Sequence, residues 1–213
     1  MKTELVFVLD RSGSMSGLES DTIGGFNGLL EKHKREPGGA VVTTVLFDDR
    51  YDILHDRRDL QHIPPITGDD YYVRGCTALL DAVGLTIRRI SRAQESDLPE
   101  ERPEKTLFVM ITDGMENASR EYDYAQVRQM VERAGTEKGW EFLFLGANID
   151  AISVAGRVGI CADRAATYRA DPAGTRMNYD AVCAAASSVR AGRPLEKSWK
   201  EEIEQYIRKR RQR

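Results

Sequence analysis

Short continuous apolar segments alternate along the chain with segments in which apolar residues recur three or four positions apart. The continuous segments, each of which predicts a strand buried on both faces, are 4–9, 40–47, 106–112 and 141–145. The segments with helical spacing, each of which predicts a helix, are 18–34, 77–93, 124–134, 151–158 and 178–189. Strands that alternate with helices form a mostly parallel sheet covered on both faces. The pattern therefore predicts a doubly wound α/β fold.

Two weaker segments complete the predicted sheet. Segment 51–55 follows a strand and the turn Asp48-Asp49, which predicts an antiparallel strand at one edge. Segment 165–168 predicts a short edge strand. The expected architecture is thus a mostly parallel central sheet with one antiparallel edge strand and helices on both faces. In such sheets, ligands bind at the carboxyl ends of the strands.

The last part of the chain predicts an amphipathic helix with a basic end. Leu195, Trp199, Ile203 and Ile207 recur every four residues. The basic end consists of Arg208, Lys209, Arg210, Arg211 and Arg213. A chain of 213 residues is long enough for one sizeable domain and little more. We therefore expect one domain over 1–192, followed by a helical segment, 193–213, that packs on this domain or extends from it.

Composition and charge narrow the class of protein. The formal net charge is −3, which argues against a protein built mainly to coat nucleic acid. Cys76, Cys161 and Cys183 are an odd number without zinc-finger spacing, so we expect reduced, partly buried thiols. The first apolar segment is too short for a signal peptide, and no apolar segment is long enough to span a bilayer. A cytoplasmic protein without membrane contact is the resulting expectation.

Polar residues with oxygen atoms follow three of the predicted elements. Asp10 ends the first strand and opens the loop D-R-S-G-S, which contains Ser12 and Ser14. Asp113 ends a later strand in the same way, and Thr77 begins a predicted helix. In a doubly wound sheet all three loops lie at one edge. Asp10, Ser12 and Ser14 occupy alternate positions in the sequence, so an extended loop can direct their side chains toward one point.

These five side chains offer only hard oxygen ligands. Such a set favours Mg²⁺, Ca²⁺ or Mn²⁺ over zinc or copper. Gly13 is expected to let the loop backbone turn closely around the ion. Because hydroxyl ligands are neutral, the ion keeps most of its positive charge and favours an additional anionic ligand. A carboxylate from a protein partner is the simplest ligand of this kind.

The order of these residues resembles the metal-ion-dependent adhesion site (MIDAS) of the von Willebrand factor A (vWA) domain. D-x-S-x-S after the first strand, a threonine in the middle loop and the aspartate of T-D-G carry the resemblance, which extends from about Lys2 to Ala170. It implies a Rossmann-like vWA fold and a Mg²⁺ site. The implied metal ligands are Asp10, Ser12, Ser14, Thr77 and Asp113. Cys76 departs from the family, in which a small residue is common there, and ITDGMENASREY is similar to the bacterial intracellular branch.

Local roles remain open for several residues. Aspartate and serine are frequent in turns, and Thr77 could be the N-cap of its helix. These roles explain each loop separately but not their coincidence at one edge. Asp81 could orient Thr77, cap the helix or face solvent, and Glu116 and Asn117 could border the binding face or be ordinary loop residues. Trp199 is expected to anchor the last helix, and surface positions are expected for His33, His55 and His62.

Two other functions compete with a binding module. A phosphotransferase or hydrolase could use the same ion, but D-x-D, G-x-x-x-x-G-K-[ST] and G-x-G-x-x-G are missing, and no histidine or cysteine is expected near a base. The basic C-terminal end could contact nucleic acid, although a solvated helix end that complements the helix dipole also explains it. We therefore predict a non-enzymatic module whose protein partner supplies a carboxylate. An AAA+ ATPase and members of a stress-response cluster are possible partners.

Overall fold

A single six-stranded sheet organises the protein, whose computed structural model describes residues 2–211 and the side chains of residues 2–209. The strands are β1 (Lys2–Asp10), β2 (Gly39–Phe47), β3 (Tyr51–Asp59), β4 (Lys105–Thr112), β5 (Glu141–Ala147) and β6 (Ala165–Tyr168). The α-helices are α1 (Glu19–Lys34), α2 (Leu79–Ser96), α3 (Tyr124–Lys138), α4 (Ala151–Arg157), α5 (Pro172–Arg190) and α6 (Glu201–Arg211). The strand order is β3-β2-β1-β4-β5-β6, and only β3 pairs in the antiparallel direction. The predicted doubly wound architecture is confirmed.

Alternate side chains of the central strands pack against opposite helix layers. On one face, Phe7 belongs to a core shared with α1, α5 and α6, and its ring meets that of Phe26 edge to face with centroids 5.3 Å apart. On the other face, Val8 belongs to a core shared with α2, α3 and α4. Burial on both faces accounts for the continuous apolar segments of the sequence. No helix in the described part of the chain is long and apolar enough to cross a membrane.

Helix α5 shows why an apolar pattern can miss the start of a helix. It begins at Pro172 rather than at Asn178, because the Asp171 carboxylate accepts a hydrogen bond of 2.7 Å from the Gly174 amide and caps the first turn. The residues of this first turn are small or polar. The capping signal was present in the sequence, but apolar spacing does not report it.

The C-terminal segment packs on the core of the domain. The predicted helix is shorter than its apolar spacing suggests. Leu195 lies before a 3₁₀ turn, Lys197–Lys200, and the α-helix α6 begins only after this turn. Ile203 is 2% exposed and joins the core, and Trp199 packs against the same core. Of the basic end, Arg208 and Lys209 are exposed, and the side chains of Arg210, Arg211 and Arg213 lie outside the described residues.

Several titratable side chains differ in exposure from the prediction. His33 is completely buried and His55 is 5% exposed, so a surface position is correct only for His62. Conversely, the free thiols of Cys76 and Cys161 are exposed rather than partly buried. The buried histidines stand in polar segments of the sequence that tertiary packing covers, and local hydrophobicity therefore gave no sign of their burial.

His33 lies in a polar cluster that joins α1 to α5. Its Nε2 atom is 3.5 Å from Sγ of Cys183, and its Nδ1 atom is 3.0 Å from Oε2 of Glu36 and 3.2 Å from Nη1 of Arg190. The prediction that no histidine or cysteine lies near a base is therefore wrong. Burial lowers the pKa of His33 and raises the pKa of Cys183, so both are neutral near pH 7. A buried, protonated thiol is a poor nucleophile, and the cluster is structural.

A second polar cluster lies at the amino end of the sheet and was not expected. Glu4 is completely buried and accepts hydrogen bonds of 2.9 Å from Nε of Arg57 and 2.8 Å from Nε2 of Gln94. Arg57 also binds Asp97 through two hydrogen bonds of 2.8 and 2.5 Å. It has a φ of +46° in a bulged part of β3, a conformation that costs about 1–2 kcal/mol. Its three ionic contacts offset this cost and tie the edge strand to β1 and to the end of α2.

Candidate metal-ion site

The loops that carry the five predicted ligands meet at the carboxyl ends of β1 and β4. Oγ of Ser12 lies 2.9 Å from Oγ of Ser14 and 3.0 Å from Oγ1 of Thr77. Oδ1 of Asp10 accepts a hydrogen bond of 2.7 Å from the Ser12 amide, and Asp113 is close enough for its charge to act on Asp10. Ser14 is exposed, whereas the other four residues are at most 5% exposed. The structure thus brings the predicted residues together with one hydroxyl open to solvent.

The carboxylates of the site are buried and incompletely satisfied. Oδ1 of Asp113 is buried and has no hydrogen-bond partner among the described residues. Oδ2 of Asp10 accepts a hydrogen bond of 2.5 Å from the Thr112 hydroxyl, which the sequence did not single out. Burial, together with the charge of Asp113, raises the pKa of Asp10, and burial also raises the pKa of Asp113. A nearby cation would compensate both buried carboxylates, so the donor set fits a divalent metal ion.

Two glycines, Gly114 and Gly75, let the loops of the site approach one another, whereas the sequence had pointed to Gly13. A Cβ atom on Gly114 would lie 2.6 Å from Oγ1 of Thr77 and 2.9 Å from Oγ of Ser14. Gly75 has a φ of +66°, the left-handed region that favours glycine. By contrast, Gly13 has no positive φ, and an added Cβ would meet its nearest neighbour at 3.6 Å. The expectation that Gly13 gives the loop its close turn is therefore wrong.

Thr77 is positioned by the loop that follows β4. Its amide donates a hydrogen bond of 2.9 Å to Oδ1 of Asn117, and its carbonyl accepts one of 3.0 Å from the Asn117 amide. The N-cap of α2 is Ala78, and the Thr77 hydroxyl points to Ser12 instead of capping the helix. The capping role considered for Thr77 is therefore wrong, and Asn117 is a positioning residue.

Glu116 and Asp81 hold the same loop against α2. The Glu116 carboxylate accepts hydrogen bonds of 3.0 Å from the Leu80 amide and 2.8 Å from the Ser119 amide. The Asp81 carboxylate accepts one of 2.9 Å from the Tyr122 amide. These contacts settle the roles left open for both residues: each carboxylate fixes backbone rather than bordering the binding face or orienting Thr77.

An arginine–aspartate cluster beside the site was missed at the sequence level. Completely buried Asp48 accepts hydrogen bonds of 3.0 Å from Nε of Arg11 and 2.5 Å from Nε of Arg74. Both guanidinium groups also bind Asp52 and lie over the ring of Tyr72. Although burial opposes it, hydrogen bonding by Arg74 helps to hold the pKa of Asp48 below its ordinary value. Because Arg11 stands inside D-R-S-G-S, the cluster anchors the candidate ligand loop to the end of β2.

The chemistry of the site is that of hydroxyl oxygens with two carboxylates. Within the described residues, no group of three or more histidine, cysteine, aspartate or glutamate side chains is arranged to hold a metal ion. A site here would therefore depend on Ser12, Ser14 and Thr77 as ligands. Hard, neutral oxygens suit Mg²⁺, Ca²⁺ or Mn²⁺, and they leave most of the charge of the ion available to a further ligand.

Comparisons with known proteins identify the fold. No family model and no curated protein matches the chain. Among solved structures, a von Willebrand factor type A protein from Catenulispora acidiphila matches with a TM-score of 0.59 and 13% identity, over 88% of this chain and 43% of that one. The fold is that of a vWA domain. The ArnB paralog VWA2 from Sulfolobus acidocaldarius matches with a TM-score of 0.54 and 15% identity, over 85% and 44% of the two chains.

A third match bears on metal binding in a protein with this fold. Proximal thread matrix protein 1 from the mussel byssus, solved with zinc in its MIDAS motif, has a TM-score of 0.59 and 16% identity, over 87% of this chain and 46% of that one. At such identities the likeness shows the vWA fold alone. The chain also spans less than half the length of these proteins. The metal, the partner and the intracellular placement of this chain therefore stay predictions.

Proposed function

We propose that this chain is a non-enzymatic binding module that holds a divalent metal ion, most simply Mg²⁺, with Ca²⁺ or Mn²⁺ as alternatives. The ligands are Asp10, Ser12, Ser14, Thr77 and Asp113. The observation that carries the proposal is the buried Oδ1 atom of Asp113, which has no hydrogen-bond partner among the described residues. Next to this carboxylate, Oγ of Ser12 lies 2.9 Å from the Ser14 hydroxyl and 3.0 Å from the Thr77 hydroxyl. A buried acceptor of this kind is costly unless a donor or a cation satisfies it.

The bound ion would capture a carboxylate of a protein partner. Ser14 is the exposed member of the site, so an approaching ligand reaches the ion from its side. Because three of the ligands are neutral hydroxyls, the ion attracts a further anionic oxygen. An AAA+ ATPase and proteins of a stress-response cluster are the partners to test first, and a membrane partner is not expected.

Calorimetric titration tests the metal part of the proposal. Mg²⁺, Mn²⁺, Ca²⁺ and Zn²⁺ are titrated separately into the metal-free chain. Zn²⁺ is included because zinc occupies the MIDAS of the mussel protein. Ser12→Ala and Thr77→Ala should each weaken binding at least about tenfold. Ser96→Ala, at the exposed end of α2, is the control and should bind like the wild type. Undetectable binding of all four ions, or equal binding by every variant, would refute the metal site.

The partner part is tested separately by cross-linking candidate proteins to the chain. Complexes should form with Mg²⁺, disappear in chelator, and disappear when the partner's contacting aspartate or glutamate becomes an amide. Capture that persists in chelator would contradict carboxylate binding through the ion, even if the ion itself binds.

Catalysis is the alternative that the same site has to be tested against. With Mg²⁺ present, we expect no turnover of a generic phosphoester. Steady turnover that is abolished in Asp10→Asn would show that the chain is a hydrolase rather than a binding module.

Nucleic-acid contact by the C-terminal end is tested by truncation after Ile207, and we expect no change in nucleic-acid binding at moderate salt.

A further inference from the structure

A surface cavity of about 450 Å³ lies between the edge strand β3 and helix α2. Four arginines line it, together with Asp56 and the phenol of Tyr51. The arginines are Arg57 from β3 and Arg88, Arg89 and Arg92 from α2. The cavity exists because β3 extends to Asp59, beyond the predicted segment 51–55, and so runs alongside α2.

Ion pairing uses only half of these arginines. Arg57 is held by Glu4 and Asp97 behind the cavity, and Arg89 is held by Asp56. Arg88 and Arg92 form no ion pair with the described residues; the Arg88 guanidinium lies 5.8 Å from the centre of the Tyr122 ring. Four arginines against three carboxylates leave the region positive, and the excess is concentrated on one turn of α2.

The two unpaired arginines are placed at a local cost. Arg88 and Arg92 are four positions apart on one helix, which brings their Cβ atoms to roughly 5–6 Å, and like charges at this spacing destabilise a helix. Both also line a second cavity of about 220 Å³ between α2 and α3. They therefore form a ridge between two cavities, and no carboxylate among the described residues pairs with either of them.

We propose that this cavity is an anion site for a small molecule that carries a phosphoryl group. A guanidinium group presents paired N–H donors that match phosphate oxygens, and Arg88 and Arg92 are the two guanidinium groups here that no carboxylate of the described residues occupies. A phosphoryl group, with a charge of about −2 at pH 7, is therefore attracted to them. The volume leaves room for more than the phosphoryl group alone. The site is independent of the proposed metal ion, since none of the proposed metal ligands lines the cavity.

The test is a titration of the ¹⁵N-labelled chain with pyrophosphate, followed by NMR at constant ionic strength and with chelator present. Saturable shifts are expected on β3 and on the middle of α2. The double variant Arg88→Gln/Arg92→Gln should weaken binding at least about tenfold. Both side chains are exposed, so the fold should be retained, which the spectrum itself reports. Ser12→Ala should bind pyrophosphate like the wild type.

The matched control is Arg128→Gln/Arg208→Gln, which removes the same charge from two exposed arginines that pair with glutamates elsewhere. Linear shifts that never saturate, or equal losses in the two double variants, would overturn the site in favour of nonspecific attraction. Inorganic phosphate and a nucleoside monophosphate are then compared. Tighter binding of the monophosphate identifies an organic phosphate as the ligand, and equal binding identifies free phosphate; both outcomes support a phosphoryl site.

Discussion

Replacement of Gly114 by alanine is a direct test of the geometry of the candidate site. The added Cβ would stand 2.6 Å from Oγ1 of Thr77 and 2.9 Å from Oγ of Ser14. The Thr77 hydroxyl would have to move by at least about 0.4 Å, from 2.6 to 3.0 Å, to relieve the closest contact. Ligand distances in metal sites vary by only about 0.2 Å. The displacement is therefore large for a metal ligand but small for the fold.

Two measurements separate these effects. Calorimetric titration with Mg²⁺ or Mn²⁺ should show affinity about 10- to 100-fold weaker in Gly114→Ala, the range found when the groups that support metal ligands are disturbed. Urea unfolding of the metal-free protein should show a loss of about 1–3 kcal/mol, as expected for overpacking by one methyl group. The variant should thus remain folded at the concentrations used for calorimetry.

Gly13→Ala is the matched control within the same site. Its Cβ would meet the nearest atom, the carbonyl oxygen of Gly75, at 3.6 Å, which is ordinary contact. Its metal affinity should stay within about twofold of the wild type. If Gly114→Ala bound the ion normally, or if Gly13→Ala lost as much affinity, the hydroxyl cluster would not be where the ion binds.

Three further changes probe the surroundings of the site and the fold. Thr112→Val removes the 2.5 Å hydrogen bond to Asp10, so the free energy of unfolding, measured by urea denaturation, should fall by about 1–3 kcal/mol. An unchanged free energy would show that the Asp10 carboxylate finds another donor. Glu4→Gln removes the buried negative charge that faces Arg57 and leaves one acceptor oxygen for the two donors Arg57 and Gln94, so it should also cost about 1–3 kcal/mol. A loss below about 0.5 kcal/mol, typical of an exposed pair, would contradict the assigned role. Burial lowers the folded-state pKa of His33 below its ordinary value of 6.5, so the unfolded chain binds more protons and stability should fall as the pH drops below about 6.5. In His33→Asn this slope should be shallower, and an identical slope would show that the pKa of His33 is the same in the folded and unfolded states.

The positions of the main strands and of the candidate ligands could be predicted because they depend on local patterns. A strand buried on both faces has to be apolar throughout, as β1 and β4 are, and it has to end where polar residues begin. Parallel strands bring their carboxyl ends to one edge, so Asp10 and Asp113 had to lie near each other once the fold class was known. Their roles as metal ligands remain a prediction for the titrations.

The supporting contacts depend on long-range packing, and no local pattern reports them. Asn117 reaches Thr77 across 40 positions, and Thr112 reaches Asp10 across 102. The glycine that permits close approach is likewise decided by which loop stands opposite, which is why Gly114 matters and Gly13 does not. Local periodicity is insensitive to such partners.

What the sequence by itself determined is the α/β class, the sheet edge on which polar loops gather, and the oxygen chemistry of those loops, since each follows from residue type and spacing along one segment. Only the tertiary structure decided that His33 is buried beside Cys183, that Arg57 pairs with Glu4, and that the arginines of α2 border a cavity. These arrangements depend on which segments fold against each other, because burial and charge pairing are properties of facing surfaces rather than of neighbouring residues.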